Sequence, residues 1–152
     1  MTIARKTAAV SMAVLSVGAL LAASSPSPAQ AAGRIYISKV QYDSPGSDTG
    51  SNTSLNAEWV RITNSTGRAR TLTGWTLRDA SSHVYKFPAT TLRAGDSLRV
   101  HTGKGTNTAA NKYWKLSWYV WNNTGDKATL RNRAGTVVDT CTWGNGSGTT
   151  SC

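Results

Sequence analysis

The sequence predicts an all-β domain, a sandwich or a barrel, and three observations carry that prediction. Short runs rich in Val, Ile, Thr, Trp and Tyr recur along the chain, the breaks between them hold Gly, Pro, Asn and Asp, and past residue 32 no apolar stretch keeps a 3.6-residue period for three turns. With 152 residues, 39% of them hydrophobic and 16% charged, the chain has the length of one domain and the composition of neither a coiled coil nor an acidic disordered tail.

The N-terminus stands apart from this pattern. Arg5 and Lys6 precede an uncharged, mostly apolar stretch from Thr7 to Ala23, and Ala29-Gln30-Ala31 offers small residues at a cleavage point, so residues 1–31 read as a secretory signal peptide. A helix needs roughly 20 apolar residues to span a bilayer; Thr7, Ser11, Ser16 and Gly18 dilute this shorter stretch, so no membrane span is expected once the leader is removed. The expected location is therefore extracellular. Loss of residues 1–31 removes two basic residues and no acid, leaving 15 Lys+Arg against 7 Asp+Glu over 121 residues. The basicity belongs to the exported domain.

After a short segment, 32–34, the β-rich region is expected over 35–143. Ile35, Ile37, Val40 and Tyr42 mark a first strand that ends at the turn residues Asp43-Ser44-Pro45-Gly46. Residues 44–56 hold Gly, Ser, Asn, Thr and Asp with one Leu, which predicts an exposed loop. Glu58, Val60 and Ile62 alternate with Trp59, Arg61 and Thr63, the period of a half-buried strand. Further strands are expected at 74–78, 83–87, 97–102, 113–121, 127–131 and 136–143, and essentially no helix. The two cysteines, Cys141 and Cys152, form an even count in an oxidising destination, which predicts a disulfide closing the Gly/Ser/Thr-rich tail 144–152 onto the last strand.

The order of particular segments resembles the lamin tail domain family, in its small secreted bacterial form. The segments are Asn56-Ala57-Glu58-Trp59-Val60-Arg61-Ile62-Thr63-Asn64, Leu72-Thr73-Gly74-Trp75-Thr76-Leu77-Arg78-Asp79, Tyr85-Lys86-Phe87-Pro88, Val100-His101-Thr102-Gly103, Trp121-Asn122-Asn123-Thr124-Gly125-Asp126 and Gly135-Thr136-Val137-Val138-Asp139. The resemblance implies an immunoglobulin-like β-sandwich and a binding or structural role without catalysis. An acidic residue is common in that family where Arg61 stands, so one sheet face is expected to be unusually basic here.

The residues themselves argue against an enzyme. The chain has no Gly-x-Ser-x-Gly elbow, no His-Glu-x-x-His zinc helix and no phosphate-binding loop of the Gly-x-x-x-x-Gly-Lys-Ser/Thr type. His83 or His101 could pair with Asp79 or Asp96 as an oriented base, but the alternation around His101 suits a solvated strand residue. Zinc sites usually recruit four ligands and only two histidines are present; Asp43, Asp48, Asn52, Asn56 and Glu58 lack the spacing of a calcium loop. No metal and no cofactor is expected.

Two binding readings remain. Arg61, Arg68, Arg70, Lys127, Arg131 and Arg133 would make a basic stripe if they share a face, fit for a polyanion such as extracellular nucleic acid or an anionic cell-wall polymer. The alternative is a carbohydrate-binding module. Strand alternation through 113–121 would put Trp114, Leu116, Trp118 and Val120 in the core and expose Tyr119 and Trp121 as a glycan-stacking platform.

Overall fold

The structure, a computed structural model, describes residues 33–152; the expected leader lies outside the described residues. The elements in chain order are β1 (Ile35–Gln41), α1 (Asn52–Ala57), β2 (Trp59–Asn64), β3 (Arg70–Thr71), β4 (Thr76–Arg78), β5 (Val84–Lys86), β6 (Thr91–Leu92), β7 (Ser97–His101), β8 (Asn111–Tyr113), β9 (Gly125–Arg131), β10 (Val137–Gly144) and β11 (Thr149–Ser151). Strands β11, β1, β2, β7 and β8 form a five-stranded sheet in that spatial order; β10, β9, β4 and β5 form a four-stranded sheet, and β3 pairs with β6 in a separate ribbon. The result is an immunoglobulin-like β-sandwich.

Period-two alternation builds its core. Ile37, Val40, Val60, Ile62, Leu98 and Val100 point inward from the five-stranded sheet and meet Leu77, Tyr85, Ala128 and Leu130 from the other. Between the sheets runs a relay of rings. Tyr42 stacks on Trp143 at 5.2 Å, Trp143 meets Trp121 at 5.7 Å, Trp121 meets Trp114 at 5.9 Å, Trp114 meets Tyr85 at 5.7 Å, and Tyr85 meets Phe87 edge-on at 4.9 Å. Such pairs add about 0.5–1.5 kcal/mol each beyond the area they bury.

Two fully buried polar residues bracket β2. At its far end the Asn64 amide donates to the carbonyls of Arg68, Leu92 and Arg93, all at 2.9 Å, and so ties the β2–β3 turn to the β6–β7 turn. Just before its start, Glu58 is 0% exposed; its carboxyl accepts Thr102 Oγ1 at 2.5 Å and the backbone N–H groups of Val120 and Trp121 at 3.2 and 2.8 Å. Burial pushes the Glu58 carboxyl up to about 7, against the partial relief of those three donors.

That capture of two amides reshapes the segment expected as a strand over 113–121. Strand β8 stops at Tyr113, and Lys115 takes a left-handed φ of 68°, unusual for a residue with a side chain and costing about 1–2 kcal/mol. Lys115 N donates to Gly103 O and Leu116 N to Thr102 O, after which the chain turns inward to Glu58. The alternation is broken. Trp118 is left 67% exposed while Trp121 is 2% exposed, the reverse of what an uninterrupted strand would impose.

Two further segments differ from the sequence reading. Within 44–56, expected as an exposed loop with no helix, α1 forms a single turn whose N-cap Ser51 accepts Ser54 N, and Leu55 and Ser44 are buried. With Leu55 and Ala57 as its apolar residues, a six-residue helix has no periodic signal to read. The tail past residue 143 adds a strand, since β11 pairs with β1 in the register Lys39↔Ser151, Val40↔Thr150 and Gln41↔Thr149. The disulfide joins Cys141, in the four-stranded sheet, to Cys152 just beyond β11, with Cα atoms 5.7 Å apart. It fastens one sheet to the other.

Two predictions follow from these anchors. Glu58 has a folded pKa near 7 against 4.5 for an unperturbed carboxyl, so between those pH values the folded chain holds a proton the unfolded chain has released. Its contribution is fully present below the lower value and lost as pH rises through the upper. Melting temperature measured from about pH 5 to about pH 8 should therefore fall more steeply with pH in the native protein than in Glu58→Gln; equal slopes would refute the assignment. Replacing both cysteines with alanine should cost about 2–3 kcal/mol in denaturant titration, and amide exchange should quicken first at Thr149–Ser151.

Candidate functional site

The six basic residues singled out from sequence do not share a face. Arg61 points outward from β2 on the five-stranded sheet, whereas Lys127 and Arg131 lie on the outer side of β9 in the four-stranded sheet. Arg68 is exposed in the β2–β3 turn and Arg70 in the β3–β6 ribbon; Arg133 lies in the β9–β10 turn with its stem against Gly74. Arg131 Nη1 is spent on the carbonyl of Gly135 at 2.8 Å. Strand alternation can place cations on one side of a strand, but neighbouring strands decide which cations meet.

Pairing assembles a different set. Lys39 of β1 lies opposite Arg61, and Arg61 lies opposite Arg99 of β7, so three cations occupy one row across the outer face of the five-stranded sheet. A parallel row holds Gln41, Trp59, His101 and Tyr113. Both guanidinium groups are positioned. Arg61 Nε donates to Ser38 Oγ at 2.8 Å beside the register shift between Ile37 and Lys39, and Arg99 lies over the Trp59 ring at 4.7 Å. A depression of about 280 Å³ lies on this face, lined by Arg61, Ser97, Leu98, Arg99, Ala110 and Asn111. Lys39 and Arg99 as partners of Arg61 were not readable from spacing, because the row joins residues brought together only by strand register.

The carboxylates are turned elsewhere. Asp126 Oδ1 accepts the N–H groups of Ala80 and Lys127 and Oδ2 that of Asn122; Asp139 accepts Ile37 N at 2.8 Å; Asp43 and Asp48 receive the Asn123 amide. Among the described residues no Lys or Arg forms an ion pair with a carboxylate. Lys112 is the one β8 cation that points inward, where its Nζ donates to Thr108 O and burial draws it below the ordinary amine range. Asp79, Asp126 and Asp139 satisfy backbone amides, and among the described residues the outward lysines and arginines have no carboxylate within ion-pair distance.

The two histidines are held structurally. His83 Nδ1 lies 2.5 Å from Asp79 Oδ2, with the acid 1% and the ring 44% exposed, and Asp79 Oδ1 accepts Ser81 N and His83 N, which closes the β4–β5 turn. This is the geometry of an oriented base, yet among the described residues nothing is hydrogen-bonded to its Nε2. His101 is bonded through Nδ1 to Asn56 O and through Nε2 to Asn111 Oδ1, and stacks on Tyr113 at 5.1 Å. No group of three or more His, Cys, Asp or Glu among the described residues could hold a metal ion.

The Tyr119 and Trp121 pair is not a stacking platform. Trp121 is enclosed between Trp114 and Trp143, because Glu58 holds its backbone inward, and the Tyr119 hydroxyl is shared with Ser54 Oγ at 2.5 Å and accepts Gly50 N at 3.3 Å. The exposed ring is Trp118.

No curated protein matches the chain significantly. Residues 28–145 match the sequence model of the Lamin Tail Domain family, a span that takes in every strand from β1 to β10 and the cation row. The chain belongs to the lamin tail domain family.

Proposed function

We propose that this domain is an extracellular, non-catalytic binding module that holds a phosphate-bearing polymer, nucleic acid or anionic cell-wall polymer, across the outer face of its five-stranded sheet. The observation that carries the reading is the row Lys39, Arg61 and Arg99, aligned by strand register and, among the described residues, without an ion pair to any carboxylate. Adjacent strands lie about 4.8 Å apart, so the row spans about 10 Å. Like charges directly opposite one another destabilise a sheet. A bound polyanion relieves that repulsion, and the preset guanidinium groups lose little freedom on binding.

The neighbouring aromatic row argues for recognition by charge rather than by stacking. The Trp59 face is covered by Arg99, while His101 and Tyr113 cover one another. Bases would find little free ring surface, so binding is expected to be independent of base sequence and steeply dependent on salt. Export is supported by the leader-like N-terminus and by the disulfide, which suits an oxidising compartment. Absence of catalysis is supported by the family and by the use of Asp79 and His83 as a turn clasp.

The test compares the native protein with the triple variant Lys39→Gln, Arg61→Gln, Arg99→Gln on single-stranded DNA, teichoic acid and neutral dextran. The native protein should bind the phosphate polymers at low salt and not dextran. The triple variant should lose most of that affinity and reduce the salt slope by about 2, whereas Lys127→Gln with Arg131→Gln on the opposite sheet should change little. Equal affinity of native and triple variant would overturn the interface; the response to DNA against teichoic acid identifies the polymer.

A further inference from the structure

The loop from Trp114 to Trp121 supports an inference that does not rest on the charged face. Trp118 stands at its tip, the one large aromatic among the described residues that is mostly exposed, and the loop behind it is strained and clamped. Lys115 is the single non-glycine residue with positive φ among those described, its N–H bound to Gly103 O, and the far end is fixed by Val120 and Trp121 donating to Glu58. Strain that surrounding structure holds in place marks sites of function more often than chance.

The ring itself is supported. It meets Tyr119 edge-on at 5.6 Å, and Tyr119 is anchored by Ser54 and by Gly50 N. Gly50, at φ +68°, passes so close that a Cβ there would lie 2.9 Å from Trp118 Cζ3. Backbone therefore lies against the indole, which stays 67% exposed. The segment around Gly50 carries the exposed residues Asp48, Thr49 and Ser51; Thr49 Oγ1 donates to Ser51 Oγ, which caps α1, while the Asn52 amide is turned away to the backbone of Lys104. The other large exposed hydrophobics among the described residues, Val84 and Val137, belong to the four-stranded sheet, so nothing enlarges Trp118 into the broad apolar patch that a protein or membrane partner would need.

We infer that Trp118, held by Gly50 and Tyr119 and next in space to the exposed polar segment that contains Gly50, is a stacking site for a neutral saccharide. One sugar ring presents an apolar C–H face that can lie on an indole and a periphery of hydroxyls that suits polar neighbours. The charge row lies on the outer sheet face and Trp118 on the β8–β9 connection, so the two sites are separately removable.

Affinity electrophoresis of the full exported chain through gels containing laminarin, xylan or soluble chitin oligosaccharides tests this. Retardation is expected in at least one of them and should persist in 0.5 M NaCl, unlike phosphate-polymer binding, a concentration at which the screening length is only about 4 Å. Trp118→Ala should weaken it at least about tenfold, the equivalent of about 1.4 kcal/mol, with unchanged circular dichroism and melting temperature, and Trp118→Tyr should retain part of it. Failure to bind any of the three, or undiminished binding by Trp118→Ala, overturns the site. Neither result bears on the Lys39, Arg61 and Arg99 row, whose triple variant should bind saccharide as the native protein does.

Discussion

The buried carboxyl of Glu58 is the constraint on which the rest of the molecule most depends. It sits where α1 hands over to β2, on the same side of the chain as Val60 and Ile62, and it reaches across to the segment that connects the two sheets. A carboxyl in the interior is costly unless its oxygens are occupied. Here Thr102 and the amides of Val120 and Trp121 occupy them. By taking those two amides it ends the strand character of the preceding residues, seats Trp121 in the ring relay and throws Trp118 outward. One acidic side chain thus sets the core of one end of the sandwich and the shape of its most exposed loop.

The other acids extend the same logic to the surface. Asp79, Asp126 and Asp139 accept backbone N–H groups, and charge-assisted hydrogen bonds of this kind are stronger than neutral ones. A carboxylate committed to the backbone does not neutralise a neighbouring lysine or arginine. The excess of basic over acidic residues is therefore expressed almost entirely as outward charge. The cation row on the five-stranded sheet follows from that division of labour between the two signs.

Local pattern told much of this in advance. Alternation through Trp59–Asn64 and Ser97–His101 separated the two faces of each strand, and turn residues marked most strand ends, but the full burial of Glu58 was not legible in it. Where the reading failed, a non-local contact had overruled local preference. Residues 113–121 have strand composition, but Gly103, Thr102 and Glu58 take their backbone groups. α1 is too short to show a period, and it packs on Gly103, where a Cβ would lie 2.6 Å from Asn56 Oδ1. β11 is polar, and only pairing with β1 makes it a strand.

What the sequence determined by itself was the all-β class, the net basic charge, the Cys141–Cys152 pair and the alternation of faces along each strand. These depend on composition and on a period of two, which neighbours along the chain settle between themselves. Only the tertiary structure decided that Lys39, Arg61 and Arg99 form one row while Lys127 and Arg131 lie on the opposite sheet, and that Trp118 rather than Trp121 meets solvent. The physical reason is the same in both cases: strand order and register, and the reach of one buried carboxyl, join residues far apart in sequence, and no local periodicity records which distant partner a strand will meet.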